Sequence, residues 1–174
     1  MINLAFSTNA FKRYSLEHSI REIAKIGYSG VEILCDIPHA YPPNFKEDHI
    51  RSLKEILSSS NLQISNLNAF TLFAVGDTYH PSWIEDSREI RILHTIDCVK
   101  LARKIGARHL STEPGGPLIP APMSSSFPSP PPTPAALTQQ HMDLHQLEKV
   151  FLEGVKRVAE IAEQEDIKVL IEPE

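Results

Sequence analysis

Residues 15–35, SLEHSIREIAKIGYSGVEILC, decide how this chain is read. Ser15 is a short polar residue placed to cap a helix. Leu16, Ile20, Ile23, Ala24 and Ile26 then recur near helical spacing, and Gly27 is suited to the left-handed turn that ends a helix. Three residues later Gly30 opens Val31-Glu32-Ile33-Leu34-Cys35, a short β-branched run bounded by turn residues. A helix, a glycine stop and a buried strand within about twenty residues make the return half of a strand–helix–strand crossover.

The same alternation extends in both directions. Upstream, Ile2 to Ser7 reads as a first buried strand. Downstream, a proline-rich loop from Asp36 to Asn44 leads to a helix over about Lys46 to Ser58, with Ile50, Leu53, Ile56 and Leu57 as its apolar stripe. Gln63 to Asn68 is the third strand. A long loop from Phe70 to about Asp86 carries Trp83. A third helix spans about Ser87 to Ile105 and stops at Gly106, and Arg108 to Thr112 is the fourth strand. The fourth helix covers about His141 to Gln164 and the fifth strand Ile167 to Ile171.

Residues 114–136 break the pattern. Nine of the fourteen prolines fall there, and Ser124 to Pro134 is nearly all Ser, Pro and Thr. Such a segment supports neither a packed helix nor a central strand, and it reads as a flexible, partly polyproline insertion after the fourth strand. The whole of 1–174 is otherwise expected to be one domain.

Strands alternating with helices imply a parallel sheet built by right-handed crossovers. An open doubly wound sheet and a closed eight-unit barrel both satisfy this. Barrel units run to about 31 residues. Setting aside an insertion of about 20 leaves about 154, enough for five units, and an open five-stranded sheet fits equally well. No GxGxxG follows the first strand and no GxxxxGK[ST] occurs, so the common nucleotide folds gain no support.

Composition narrows the functional classes. At 41% hydrophobic and 22% charged, the chain is an ordinary globular protein, and a net charge of −5 argues against a broad nucleic-acid surface. No apolar run reaches membrane-spanning length, the N-terminus is too polar for a secretory signal, and two widely spaced cysteines, Cys35 and Cys98, suit reduced, buried thiols. Cytoplasm is the expected location, with no nucleic-acid or membrane partner.

Several segments together carry a resemblance. SLEHSI leading through IGYSGVEI, the run Asp97-Cys98-Val99-Lys100-Leu101-Ala102-Arg103-Lys104-Ile105-Gly106-Ala107, Glu113-Pro114-Gly115-Gly116 and Lys168-Val169-Leu170-Ile171-Glu172-Pro173-Glu174 resemble, in order and spacing, the first five-eighths of the xylose-isomerase-like TIM barrel superfamily. Its members include sugar isomerases and epimerases, inositol-catabolism enzymes and the endonuclease IV and family 2 AP endonuclease group. The resemblance implies a partial (β/α)8 barrel of about five parallel strands and four helices.

In parallel barrels the active site lies at the C-terminal ends of the strands. That rule selects Asn9 and Phe11 after the first strand, Glu32, Asp36 and His39 around the second, Asn66 and Asn68 on the third, Glu113 after the fourth, and Glu172 and Glu174 at the fifth. A carboxylate ending a buried strand is costly unless it is paired or holds a metal, so Glu172 is the leading catalytic and metal candidate. Its hard oxygens suit a divalent ion such as Mn, Mg, Co or Zn. Glu174 reads as loop surface. Glu32 interrupts an apolar strand, which points either to a barrel-mouth carboxylate or to a buried salt bridge. His39 is a loop histidine in reach of a substrate. Asn66 and Asn68 alternate and share a face, able to bind a polyol, and Trp83 with Phe73 offers an apolar wall.

By resemblance, the chemistry is a proton or hydride shift between adjacent carbons of a small sugar, sugar phosphate or polyol, assisted by a divalent metal. Strands six to eight, which in this family bring further metal ligands, are absent, so the 174-residue chain is expected to be inactive alone. Its open barrel edges invite self-association. The rivals are an endonuclease-IV-like repair enzyme and a non-catalytic, barrel-derived interaction module.

Overall fold

In the computed structural model, residues 2–69, 88–112 and 144–172 are described. Trp83, Phe73, Glu113, Glu174 and the insertion expected at 114–136 lie outside them.

The capping signals act as the sequence predicts. Helix α1 (Leu16–Ile26) begins at Ser15, whose Oγ accepts a hydrogen bond from the His18 N–H at 3.2 Å, and ends at Gly27, where φ is 101°. Its buried stripe is Leu16, Ser19, Ile20 and Ile23, and each fully buried aliphatic side chain contributes about 1.5–3 kcal/mol. Before it, β1 (Ala5–Ser7) runs into a 3-10 turn at Thr8–Phe11 that the sequence did not announce, capped by the Ser7 hydroxyl. After it comes β2 (Gly30–Leu34). A Cβ on Gly30 would stand 3.0 Å from the Ala5 Cβ, so the glycine lets the first two strands close up.

Helix α2 (Glu47–Ser59) starts at Lys46, which has no side-chain acceptor. The cap runs the other way: the Lys46 N–H donates to His49 Nδ1 at 3.1 Å. Strand β3 (Gln63–Asn68), helix α3 (Arg88–Ile105), strand β4 (His109–Thr112), helix α4 (Leu144–Gln164) and strand β5 (Lys168–Ile171) complete the order. The helix and strand limits fall within three residues of those expected.

The sheet is parallel throughout, and its strands follow chain order, β1-β2-β3-β4-β5. An open doubly wound sheet reverses its strand order to place helices on both faces. Here the order never reverses. Val31, Ile33, Cys35, Leu67 and Leu110 join helix residues such as Ile20, Leu53, Ile92, Val99 and Val158 in one core. Leu34 is fully buried yet stands apart from that core, on the other face of the sheet. Helices on one face and sequential strands are the winding of a barrel wall, and the described residues form a partial barrel of five strands and four helices.

Within this core, both cysteines are free and buried. Cys98 Sγ lies 3.3 Å from His94 Nε2 within α3, and the Tyr41 ring stacks on His94 at 5.8 Å. Burial pushes the Cys98 thiol up and the His94 imidazole down to about 4. Among the described residues no helix is long and apolar enough to cross a membrane.

Candidate functional site

Strand register decides which side chains share the face opposite the helices. Ser7 pairs with Glu32, Glu32 with Asn66, Leu34 with Asn68, Asn68 with Ser111 and Ser111 with Leu170. Successive side chains alternate across a sheet, so these residues share the inner face, and Glu172, two residues past Leu170, continues it. The expectation that Asn66 and Asn68 lie together on this face is met. One irregularity makes it possible. Val31 pairs with Ile64 but Glu32 with Asn66, leaving Ser65 as the extra residue of a bulge.

Glu32 forms no ion pair among the described residues. Its Oε2 instead accepts a hydrogen bond from Asn66 Nδ2 at 2.8 Å, and the same amide nitrogen donates to Ser111 Oγ at 2.7 Å. A carboxylate only accepts, which fixes the orientation of the amide. Asn66 Oδ1 then points elsewhere, buried and without a partner among the described residues. Three strands thus carry one polar chain across the inner face. The salt-bridge alternative for Glu32 is replaced by this amide contact. Ser111, which is 1% exposed, was missed from the sequence. Its place between Leu110 and Thr112 in a period-two strand was the available signal.

Towards the C-terminal rim, the backbone ladder extends beyond the strands. The Cys35 N–H donates to the Asn68 carbonyl, Ala69 to Ser111 and Glu172 to Thr112. Thr8, fully buried, accepts from the Leu34 N–H at 2.9 Å and ties the end of β1 to β2. Asn9 leaves its Oδ1 buried and without a partner among the described residues. Phe11 packs edge-on against Phe6 and Tyr14.

The loop after β2 is tightly held. Asp36 is fully buried, and its Oδ1 accepts from the Ile37 N–H at 2.7 Å; the Ile37–Pro38 bond is cis. His39 is buried as well, with Nε2 3.2 Å from the Tyr14 carbonyl. A carbonyl only accepts, so Nε2 carries the proton and Nδ1 is left as a buried lone pair without a partner among the described residues. Burial pushes this imidazole below its ordinary value, against the opposing pull of the Tyr14 and Phe11 carbonyls and the Glu17 charge. His39 is therefore a packed histidine joining the β2 loop to the segment after β1, rather than a free loop side chain.

Glu172 is exposed, as are Leu170 and Ile171 before it. The strand that delivers it is less buried than its apolar sequence suggested, because β5 has one strand neighbour among the described residues. No group of three or more His, Cys, Asp or Glu side chains able to hold a metal occurs among the described residues. Glu172 alone fits a hard divalent ion in chemistry but not in ligand number.

A family described as xylose isomerase-like TIM barrel matches residues 20–174. A 57-residue segment is 32% identical to fructoselysine 3-epimerase of Escherichia coli O157:H7, spanning 33% of this chain and 21% of that protein. Among solved structures, the 3-keto-D-glucoside 4-epimerase YcjR of E. coli superposes with a TM-score of 0.67 at 13% identity, over 99% of this chain and 56% of that one. The IOLI protein with a bound zinc atom superposes with a TM-score of 0.64 at 17% identity, over 99% and 51%. At these identities the superpositions show the fold. The chain spans about half the length of these solved relatives.

Proposed function

Since this chain belongs to the xylose isomerase-like TIM barrel family, we propose that it carries the first part of the active site of a divalent-metal-dependent isomerase or epimerase. Its substrate is a small sugar, sugar phosphate or polyol. The observation that carries this reading is the inner-face chain Glu32–Asn66–Ser111, hydrogen-bonded across three strands beneath the rim where Glu172 emerges. Polyol hydroxyls both donate and accept, and an Asn oxygen buried without a partner is the kind of acceptor they satisfy.

In this reading Glu172 removes a proton from a carbon next to a carbonyl, and the same proton count is restored when a second group reprotonates that carbon. Glu172 would also be a ligand of the divalent ion, whether Mn, Mg, Co or Zn, which would polarise the carbonyl when bound. Glu32, His39, Asn66, Asn68, Trp83 and Glu113 are assigned to substrate binding. The IOLI protein binds zinc, which supports the choice of a divalent ion. A cytoplasmic location is part of the proposal, supported by the two free, buried cysteines.

The 174-residue chain is proposed to be inactive alone, because no group of three or more possible ligands occurs among the described residues and the exposed Glu172 by itself does not hold a tight metal site. The test begins with the intact mass of the natural polypeptide. A polypeptide longer than 174 residues found by that mass is then incubated in D2O with Mn2+ and a panel of ketoses, and deuterium is read by NMR at the carbons flanking the carbonyl; a mass of 19.5 kDa overturns the reading of this chain as part of a larger active site. Metal-dependent exchange that Glu172→Gln abolishes is expected. Exchange that survives Glu172→Gln, or none with any ketose and metal, overturns the reading. Turnover by the isolated 174-residue chain overturns the claim of inactivity.

A further inference from the structure

At the N-terminal ends of β3 and β4, away from the rim, the wall opens into a concavity of about 600 Å3. Its origin lies in the backbone. Strand β3 begins at Gln63 but pairs with β4 only at Leu67 and Asn68, and Ser65 is the extra residue of the β2–β3 bulge. The two strands therefore part before they pair, and the gap is not filled by side chains. Gly106 at the end of α3, where φ is 86°, adds no side chain to it.

The lining has one charge sign. Lys54 from α2, Arg108 just before β4, His109 at its start, and the polar residues Gln63 and Ser65 line it, with no Asp or Glu among the described residues. Neither Lys54 nor Arg108 forms an ion pair among the described residues, whereas Lys104 close by is paired with Glu47 at 3.9 Å. In a chain of net charge −5, a concave surface with two unpaired cations and no acid among the described residues is a local inversion. Leu57, Ile64 and Ile105 supply apolar wall beside the cations.

We propose that this concavity is a second binding site, for a small organic anion whose phosphate or carboxylate is held by Lys54 and Arg108 and whose carbon skeleton lies on Leu57, Ile64 and Ile105. Three features support it together. Arg presents a planar fork matched to phosphate or carboxylate oxygens, and Lys adds a point charge. The volume lies in the range of small-molecule sites and exceeds what a bare inorganic oxyanion fills. The site's described lining comes from α2, β3, the end of α3 and the start of β4, none of it from β1, β5 or Glu172, and the β5 backbone borders it where the Lys168 N–H donates to the Arg108 carbonyl. It goes beyond the proposed catalytic reading and does not rest on it.

The test is calorimetry and 31P NMR on the folded protein with inorganic phosphate, phenyl phosphate, citrate and, as the neutral control, benzyl alcohol, none of them a sugar. Saturable binding of phenyl phosphate or citrate is expected, at least fivefold tighter than phosphate, with benzyl alcohol silent. Lys54→Ala and Arg108→Ala should each weaken it fivefold or more. Both side chains are exposed, so the variants fold, which circular dichroism checks. Lys25→Ala, on helix α1, which supplies none of the described lining residues and where Lys25 is paired with Glu22, and Glu172→Gln should leave the affinity unchanged. Equal weakening by Lys25→Ala would reveal general charge screening and overturn the site, as would the absence of saturable binding. Phosphate binding as tightly as the organic anions would overturn the assignment of the apolar wall. Loss of isotope exchange in Glu172→Gln with anion binding intact separates the two readings.

Discussion

His94 sits where α3 meets the β2 loop, 9% exposed, against the Cys98 thiol and under the Tyr41 ring. Burial is the main force lowering its pKa to about 4, opposed by the Asp97 charge and the Cys35 carbonyl. The unfolded chain takes up this proton near the ordinary 6.5, the folded chain only near 4. Between those values the unfolded state binds more protons, so stability is full above 6.5 and falls as pH drops towards 4. The difference is roughly 3 kcal/mol. Urea titrations from pH 7 to pH 4 should show this slope, and His94→Gln should flatten it; an unchanged slope would rule out His94 as its source. Asn66 offers a second measurement. Removing its amide in Asn66→Ala strands Glu32 and Ser111, at a cost of about 1–3 kcal/mol. Asn66→Asp, which sets a carboxylate beside Glu32, should cost more near neutral pH than near pH 4, and a pH-independent loss would contradict the assigned contact. Neither pairing was legible in the sequence. Glu32 and Asn66 are 34 residues apart, and their alignment depends on the bulge at Ser65, which no residue type announces.

The elements themselves were far more legible, because their signals are local. Ser15 and Gly27 delimit α1 by hydrogen-bonding and steric rules that need no tertiary partner. Ser15→Ala should cost about 1 kcal/mol through loss of the cap. Gly27→Ala should cost about 1–2 kcal/mol through the left-handed backbone, since nothing lies within 4 Å of the added Cβ. Thermal unfolding of the two variants tests this, and a neutral Gly27→Ala would mean that the left-handed cap relaxes. The cap of α2 shows the limit of such rules. Lys46 is a poor capping residue by type, and the work passes to His49, three residues on. The 3-10 turn at Thr8–Phe11 escaped notice because its one marker, Ser7, also ends a strand.

For the molecule as a whole, the alternation of elements left barrel and open sheet equally plausible; the resemblance tilted the balance, and the unreversed strand order closed the question. The burial of His39 and the exposure of Glu172 were hidden for opposite reasons. One depends on a loop folding back to the Tyr14 carbonyl, the other on how many neighbours β5 has. Strands β1 and β5 each have one partner strand among the described residues, and Phe6, Leu170 and Ile171 are exposed along them. Such edges recruit further strands. The 174-residue chain should sediment above its 19.5 kDa monomer mass as concentration rises, and Leu170→Lys should shift it back. A concentration-independent monomer would show that these edges are inert.

Strand order that matches chain order also sets how the molecule can be made. When each strand leaves the ribosome, the neighbour it must pair with has already been synthesised, one crossover earlier. Growth of the sheet never waits for a distant segment, and each closure spans a loop whose entropic cost is modest. The wall can therefore be laid down vectorially during translation, from β1 towards β5.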